Sequence, residues 1–219
     1  MTTTVKPIET LYNGVLFRSR AEARWAFAFD IIGMRWLFEN EGFKFSDGTY
    51  YLPDFYLPDC KQFFEVKGGC VQYDQIDLKD CHKIMMLDAA FPKEGETSVF
   101  VGFGDMTFCA YDESKEESGL MVCSKCGKPY FVANWGSWGC TNCGYYDGDR
   151  SMSNWIRGTH GDIYDGYALA WALDKAKSER FTNPEESLAR AQAWKALYDV
   201  ASKKLDAADF LISRGGGKP

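Results

Sequence analysis

Apolar residues recur with two different periods along this chain. Over 15–36 the step is helical: Trp25, Phe29 and Ile32, with Ala21 and Ala28, form one stripe. Ser19 followed by Glu22 has the capping-box spacing that starts a helix, and Gly33 is a suitable stop. The spacing then shortens. Aromatic-rich runs at 35–39, 49–57 and Gln62–Lys67 are separated by Asp47-Gly48 and Pro58-Asp59, which predicts a three-stranded meander with its second strand interrupted by Pro53. Gly68-Gly69 ends it. Helical spacing returns over 74–91, with Ile76, Lys79/Asp80 and Lys83/Ile84 on successive turns, and 98–103 and 107–111 read as two more strands. The order α-β-β-β-α-β-β predicts an α/β (α+β) core with a mixed central sheet flanked by helices.

Beyond the core the pattern changes again. The run 112–118 (DESKEES) is charged and reads as a linker. Residues 119–149 form a cysteine-bearing module. A helix is predicted over 162–179, with Tyr164, Tyr167, Ala168 and Trp171 on one side. Asn183-Pro184-Glu185-Glu186 supplies an N-cap, a proline at the first helical position and a glutamate one turn in. From there Leu188, Ala191, Trp194, Tyr198, Ala201, Leu205, Ala208 and Ile212 step by three or four, a seam that suits either a helical hairpin or a partner helix, the latter giving a homodimer. The final GGGKP reads as a loose tail. Three segments are expected: 1–118, 119–149 and 150–219.

Composition narrows the function classes. No run of 18 apolar residues exists, so no membrane span is expected. The first fourteen residues carry one lysine and no apolar core, so no secretion signal is expected and the chain reads as cytoplasmic. Two histidines, His82 and His160, lie far apart in sequence, which weakens Ser-His-Asp, Cys-His and multi-histidine metal chemistry. The net charge of −6 is unevenly spread: 1–69, 70–118, 119–149 and 150–219 carry −1, −7, 0 and +2. The flanks therefore remain compatible with a polyanion. Of eight cysteines, Cys60, Cys70, Cys81 and Cys109 are scattered and read as small buried hydrophobes.

Chemistry concentrates in Pro53-Asp54 and Glu65-Val66-Lys67. Glu65 and Lys67 are two apart on a strand and share a face, while Val66 points into the core. Asp54, on the neighbouring strand, can reach the same face. Two carboxylates beside an ammonium suit a hard divalent cation such as Mg²⁺ or Mn²⁺, which can activate water and neutralise charge on a phosphoryl oxygen. A turn aspartate beside a solvated strand pair is the plainer alternative.

The stretch FRSRAEARWA, YLPDFYLP, FFEVKG over roughly 12–104 resembles the PD-(D/E)XK nuclease superfamily, with Pro53-Asp54 and Glu65-Val66-Lys67 as its signature. It is most similar to small nucleases of phages and their bacterial hosts. The resemblance implies a restriction-endonuclease-like core and a Mg²⁺-dependent DNA endonuclease that leaves 5′-phosphate and 3′-hydroxyl ends. It implies Asp54, Glu65 and the Val66 carbonyl as metal ligands, Glu22 as a supporting ligand, and Lys67 as base or orienter. Lys79 or Lys83 is a candidate for a further lysine, and residues 99–104 for a late core strand. Arg18, Arg20 and Arg24 are candidate phosphate contacts or a solvated face. A catalytically idle DNA- or protein-binding module, or an RNA substrate, are the competing readings.

Cys123, Cys126, Cys140 and Cys143 form two CxxC pairs, the spacing of a tetrahedral four-thiolate zinc site. Gly127 and Gly144 follow each second cysteine and permit the tight knuckle turn. The module resembles a zinc ribbon, with Zn²⁺ structural because no coordination position is left for water. Tyr130, Phe131, Trp135 and Trp138 either stack on bases or dock the ribbon on the body. Lys125 and Lys128 are candidate phosphate contacts. So are Arg150, Arg157, Lys175, Lys177 and Arg180, although a solvated face explains such a set as well.

Overall fold

The computed structural model describes residues 6–69, 73–91, 99–111, 118–133, 139–146, 155–159, 163–164 and 166–215, with side chains described up to Ser202 in the last helix. The described residues form a mixed α+β fold with four helices. A hairpin comes first: β1 (Thr10–Tyr12) and β2 (Val15–Phe17) pair antiparallel. Asn13 (φ 49°) and Gly14 (φ 77°) make its turn, the positive-φ pair that matches strand twist. The predicted first helix is α1 (Arg20–Ile32), ended by Gly33 in the left-handed region. Next come β3 (Leu37–Phe38), a side hairpin of β4 (Phe43–Lys44) and β5 (Tyr50–Tyr51), then β6 (Phe55–Leu57) and β7 (Gln62–Lys67). A 3₁₀ turn at Tyr73–Gln75 leads to α2 (Leu78–Ala90), then β8 (Val99–Phe103) and β9 (Phe108–Ala110).

The central sheet has the order β3-β6-β7-β8-β9, antiparallel except for the β7–β8 pair, which is parallel and joined through α2. Its two faces follow the period of two. Phe64 and Val66 turn toward α1, in one cluster with Trp25, Phe29, Phe55 and Phe108. Phe63 turns the other way, with Val101, Phe103 and the Ile84 and Leu87 side chains of α2. Glu65 and Lys67 share the Phe63 face, so they point past the end of the sheet toward α2.

The second half adds a small sheet, β11-β10-β12-β13, from β10 (Ser118–Val122), β11 (Pro129–Ala133), β12 (Trp155–Arg157) and β13 (Ile163–Tyr164). Helices α3 (Tyr167–Ser178) and α4 (Pro184–Gly215) follow. Most of the predicted linker, and residues 216–219 of the predicted tail, lie outside the described residues, while Ser118 opens β10. No described helix is long and apolar enough to cross a membrane.

Two expectations about helix faces are corrected. The helix placed at 162–179 begins at Tyr167, because Ile163–Tyr164 pairs with β12. Its buried face is Ala168, Leu169, Ala172, Leu173 and Ala176, while Tyr167 is exposed. Likewise α1 buries Ala26, Phe27 and Ile31 as well as Trp25, Ala28, Phe29 and Ile32 of the predicted stripe, with Ala21 half-buried, because α3 and α4 cover the side that the sheet does not. In the α4 seam, Ala191 and Tyr198 are buried within this chain, and Phe27 meets Trp194 edge to face. The first half of the seam is therefore used internally, as in the hairpin reading. Leu205, Ala208 and Ile212 lie outside the described side chains.

Gly102 on β8 sits where no side chain fits. A Cβ there would meet the Phe64 ring at 2.3 Å and the Trp25 ring at 2.6 Å. Gly102→Ala is expected to cost about 1–3 kcal/mol through overpacking, lowering Tm by several degrees. Gly69→Ala, whose Cβ meets nothing within 4 Å, is the matched control. Equal melting of the two variants would refute this packing.

Candidate active site and candidate metal centre

The end of β7, the start of β6, the N-terminus of α1 and the first turns of α2 enclose a cavity of about 430 Å³ lined by Arg18, Glu22, Tyr51, Asp54, Glu65, Lys67, Asp80 and Lys83, among others. Asp54 is held from two sides. Its Oδ2 accepts the Val66 N–H at 2.7 Å, and its Oδ1 takes the Arg18 guanidinium at 2.5 Å. Glu65 Oε2 accepts the Tyr51 hydroxyl at 2.6 Å and the Asp54 N–H at 3.3 Å, while Oε1 meets Lys67 Nζ at 2.9 Å. Lys67 Nζ also reaches Asp80 Oδ2 at 2.8 Å, and Lys83 approaches Asp80 Oδ1 at 3.4 Å. The predicted trio of Asp54, Glu65 and Lys67 is thus brought to one side of the sheet.

The electrostatics follow from crowding. Burial, then the Glu65 and Glu22 carboxylates, push the Asp54 carboxyl well above the usual range, against the Val66 N–H and Arg18. Burial likewise raises Glu22, against its cap bonds and Arg18. Burial opposes the Lys67 charge, but Glu65 and Asp80 outweigh it and hold the ammonium above the ordinary lysine value. Burial raises Tyr51 as well, and Glu65 adds to it.

Glu22 closes the predicted capping box. Its N–H donates to Ser19 Oγ at 3.2 Å, its Oε1 accepts from that hydroxyl, and its Oε2 accepts the Arg18 N–H. Its side chain also lines the cavity. Of the two lysine candidates on α2, Lys83 lines the cavity; Lys79 is not among its lining residues. Sequence reasoning missed Tyr51 and Asp80, which orient Glu65 and Lys67. The Asp80–Lys83 spacing on α2 was the available signal for one of them. Arg18 is an ion-pair partner of Asp54 and of Glu39, at 2.9 Å.

The donor set suits a hard cation: buried carboxylate oxygens that repel one another. In this structure Arg18 and Lys67 supply the opposing charge. Among the described residues, only the four cysteines bring three or more candidate ligand atoms within 4.8 Å of one another.

That second centre repeats one local design. Gly127 N–H donates to Cys123 C=O at 2.8 Å and Gly144 N–H to Cys140 C=O at 2.7 Å, with both glycines at φ 67°. Cys123 and Cys143 Sγ lie 3.8 Å apart, Cys126 and Cys140 Sγ 3.7 Å. A tetrahedron with Zn–S bonds of about 2.3 Å has edges of about 3.8 Å, so the thiolates stand at metal-binding distance. Asn142 Nδ2 donates to Cys126 Sγ at 3.4 Å, and this bond helps draw that thiol down to about 7 against the effect of burial.

The two described aromatic residues of the predicted set dock on the body. Tyr130 and Phe131 are buried, and Phe131 packs on Phe29, Phe64, Phe100 and Phe108. Gln62, the first residue of β7, donates to the Phe131 carbonyl at 2.7 Å and accepts its N–H at 3.0 Å. These two rings are not available to bases; Trp135 and Trp138 lie outside the described residues. Lys128 pairs with Asp59 at 3.5 Å, and Lys125 lies over the Tyr145 ring. Arg150 lies outside the described residues. His82, exposed, contacts Asp47 at 2.9 Å and stands apart from the cavity.

Fold and site together define a mixed α+β protein with a carboxylate–lysine cavity and a four-cysteine metal-binding cluster. Comparison with family models, with curated proteins and with solved structures gives no match.

Proposed function

We propose that this chain is a divalent-cation-dependent endonuclease that hydrolyses phosphodiester bonds in DNA to 5′-phosphate and 3′-hydroxyl ends. The observation that carries the reading is the meeting of Asp54, Glu65 and Lys67 in one cavity with their hydrogen bonds interlocked. Asp54, Glu65 and the Val66 carbonyl would hold Mg²⁺ or Mn²⁺, with Glu22 in support. The ion would supply an activated water and offset charge at phosphorus. Tyr51 orients Glu65 through a single hydrogen bond. Lys67, held as an ammonium by Glu65 and Asp80, acts as a donor toward the phosphate oxygens rather than as a proton acceptor. The four cysteines would hold a structural Zn²⁺ that keeps β10 and β11 docked on the central sheet.

The direct test is nicking of supercoiled plasmid with Mg²⁺ or Mn²⁺ against a chelator, beside Lys67→Ala. Metal-dependent nicking that the variant loses supports the reading. Nicking that survives both controls removes it, and no nicking by the native chain leaves a binding module.

Arg18 gives a finer prediction. A cation on Asp54 competes with its guanidinium, so Arg18→Gln is expected to lower the half-saturating Mg²⁺ concentration. Arg18 is well exposed, so the pair contributes about 1 kcal/mol at most, or up to roughly fivefold. An increase in that concentration, seen in a metal titration of cleavage, would show that Arg18 supports the cation instead.

A further inference from the structure

The first turns of α1 carry Arg20 and Arg24 four residues apart, hence on one helix face. Arg24 Nε donates to the Glu179 carbonyl at 3.3 Å, which sets it beside Arg180. Three guanidiniums from two distant parts of the chain therefore share one surface. Burial lowers the Arg24 pKa, and the charges of Arg180 and Arg20 lower it further, against the smaller opposing effect of the Glu179 charge. Among the described residues, no carboxylate lies within ion-pair distance of Arg20, Arg24 or Arg180. The Arg20 Nε is shielded from solvent and makes no hydrogen bond.

Among the described residues, the acid whose charge acts on Arg24 is Glu179, and its oxygens are committed elsewhere. Glu179 Oε1 accepts from the N–H groups of Arg180 and Phe181, the Ser187 hydroxyl and Arg190, and Oε2 accepts from Arg190 Nε. It is the buried counter-ion of α4, drawn down to about 2 despite its burial. A chain with a net charge of −6 thus keeps three arginines together with no ion-pair partner among the described residues.

Position indicates what neutralises them. Ala21, between Arg20 and Glu22, lies under Gly68, the residue after Lys67; a Cβ on Gly68 would meet Ala21 Cβ at 2.9 Å. Glu22 lines the cavity on one side of α1. Arg20 and Arg24 lie around the helix, roughly its 10–12 Å width away. That span is close to the width of about 12 Å of the major groove of B-DNA.

We infer that Arg20, Arg24 and Arg180 form a phosphate-binding surface for the second strand of duplex DNA, gripping it while the first strand lies in the Asp54–Glu65 cavity. The inference rests on the nuclease reading for the placement of the first strand. Contacts of this kind release counter-ions, so affinity falls steeply with salt.

The test is binding of a fluorescent duplex and of its single strand by the full chain without divalent metal, as a function of salt. It compares the native chain with the Arg20→Gln/Arg24→Gln/Arg180→Gln variant and with Arg180→Gln alone, which changes only an exposed side chain. The triple variant is expected to bind duplex tenfold or more weakly near 0.1 M salt, with the log–log salt slope reduced by about 2 to 3. Single-strand affinity should change little, and Tm should hold or rise because like charges are removed. Arg180→Gln should weaken duplex binding on its own. Unchanged duplex affinity and slope overturn the inference, as does an equal loss on single strands. Arginine-dependent duplex binding by a chain that does not cut DNA would uphold the surface and sink the hydrolytic reading. Cutting without arginine dependence would do the reverse.

Discussion

Stripping the metal from Cys123, Cys126, Cys140 and Cys143 is expected to destabilise the whole chain. The two knuckles contain too little apolar surface to hold their turns without a metal, so binding free energy there is folding free energy. The effect spreads because β10 and β11 are not an appendage. Leu120, Phe131 and Cys140 belong to the same buried cluster as Trp25, Phe64 and Leu173, and the Gln62 amide is satisfied only while the Phe131 backbone stays in place. Loss of the knuckles would uncover the Phe64 face of the sheet and leave a buried amide unpaired, which costs about 1–3 kcal/mol by itself. A metal present at a thousandfold its dissociation constant contributes about 4 kcal/mol, or roughly 8–16 °C in Tm for a chain of this size. Chelation should release one zinc per chain, lower Tm by at least that range and change the near-ultraviolet signal of Trp25. A stripped chain that melts as before would show that the cysteines do not carry the fold.

The knuckles were legible because their signal is local: residue type, spacing and two glycines fix the turn without reference to the rest of the chain. The element order of the core was legible for the same reason, through caps and turn residues such as Ser19, Gly33 and Gly68. What could not be read depended on partners distant in sequence. Phe27 looks like a residue off the helical stripe until α4 covers it. Phe131 looks like a base-stacking ring until four core phenylalanines surround it. Tyr51 carries no motif and Asp80 only its three-residue spacing to Lys83; both gain meaning once β5 and α2 reach the end of β7. The N-terminal hairpin is a different case, since Asn13-Gly14 is a strong turn signal; its strands are three residues each and too short for their alternation to stand out.

The substitution Asp54→Asn is expected to abolish cleavage and, in metal-free buffer, to stabilise the protein. Asp54 is 3% exposed, and burial together with Glu65 and Glu22 raises its folded pKa well above the unfolded value. Between those two values the folded chain holds a proton that the unfolded chain has lost. Stability is therefore fully present below the ordinary carboxylate range, near pH 4, and falls as pH rises toward the raised value. The introduced amide would keep an oxygen to accept the Val66 N–H while removing the cost of ionising a buried carboxyl in the folded chain, so the gain should appear as pH rises toward the raised value. Loss of the Arg18 pair subtracts little, because that side chain is well exposed. Cleavage should drop by about 10³-fold or more, equivalent to about 4 kcal/mol of transition-state stabilisation, since one of the two strand carboxylates proposed to hold the cation is gone. On the proposed reading, apparent Mg²⁺ affinity of the native chain is expected to rise with pH, because cation and proton would compete for one carboxylate, and Asp54→Asn should abolish that rise. Thermal melts of native chain and variant between pH 5 and 8, with and without Mg²⁺, separate the possibilities. A variant that is less stable than the native chain throughout would make Asp54 a structural partner of Arg18, and the cavity a salt-bridge network rather than a place where a cation meets a phosphate.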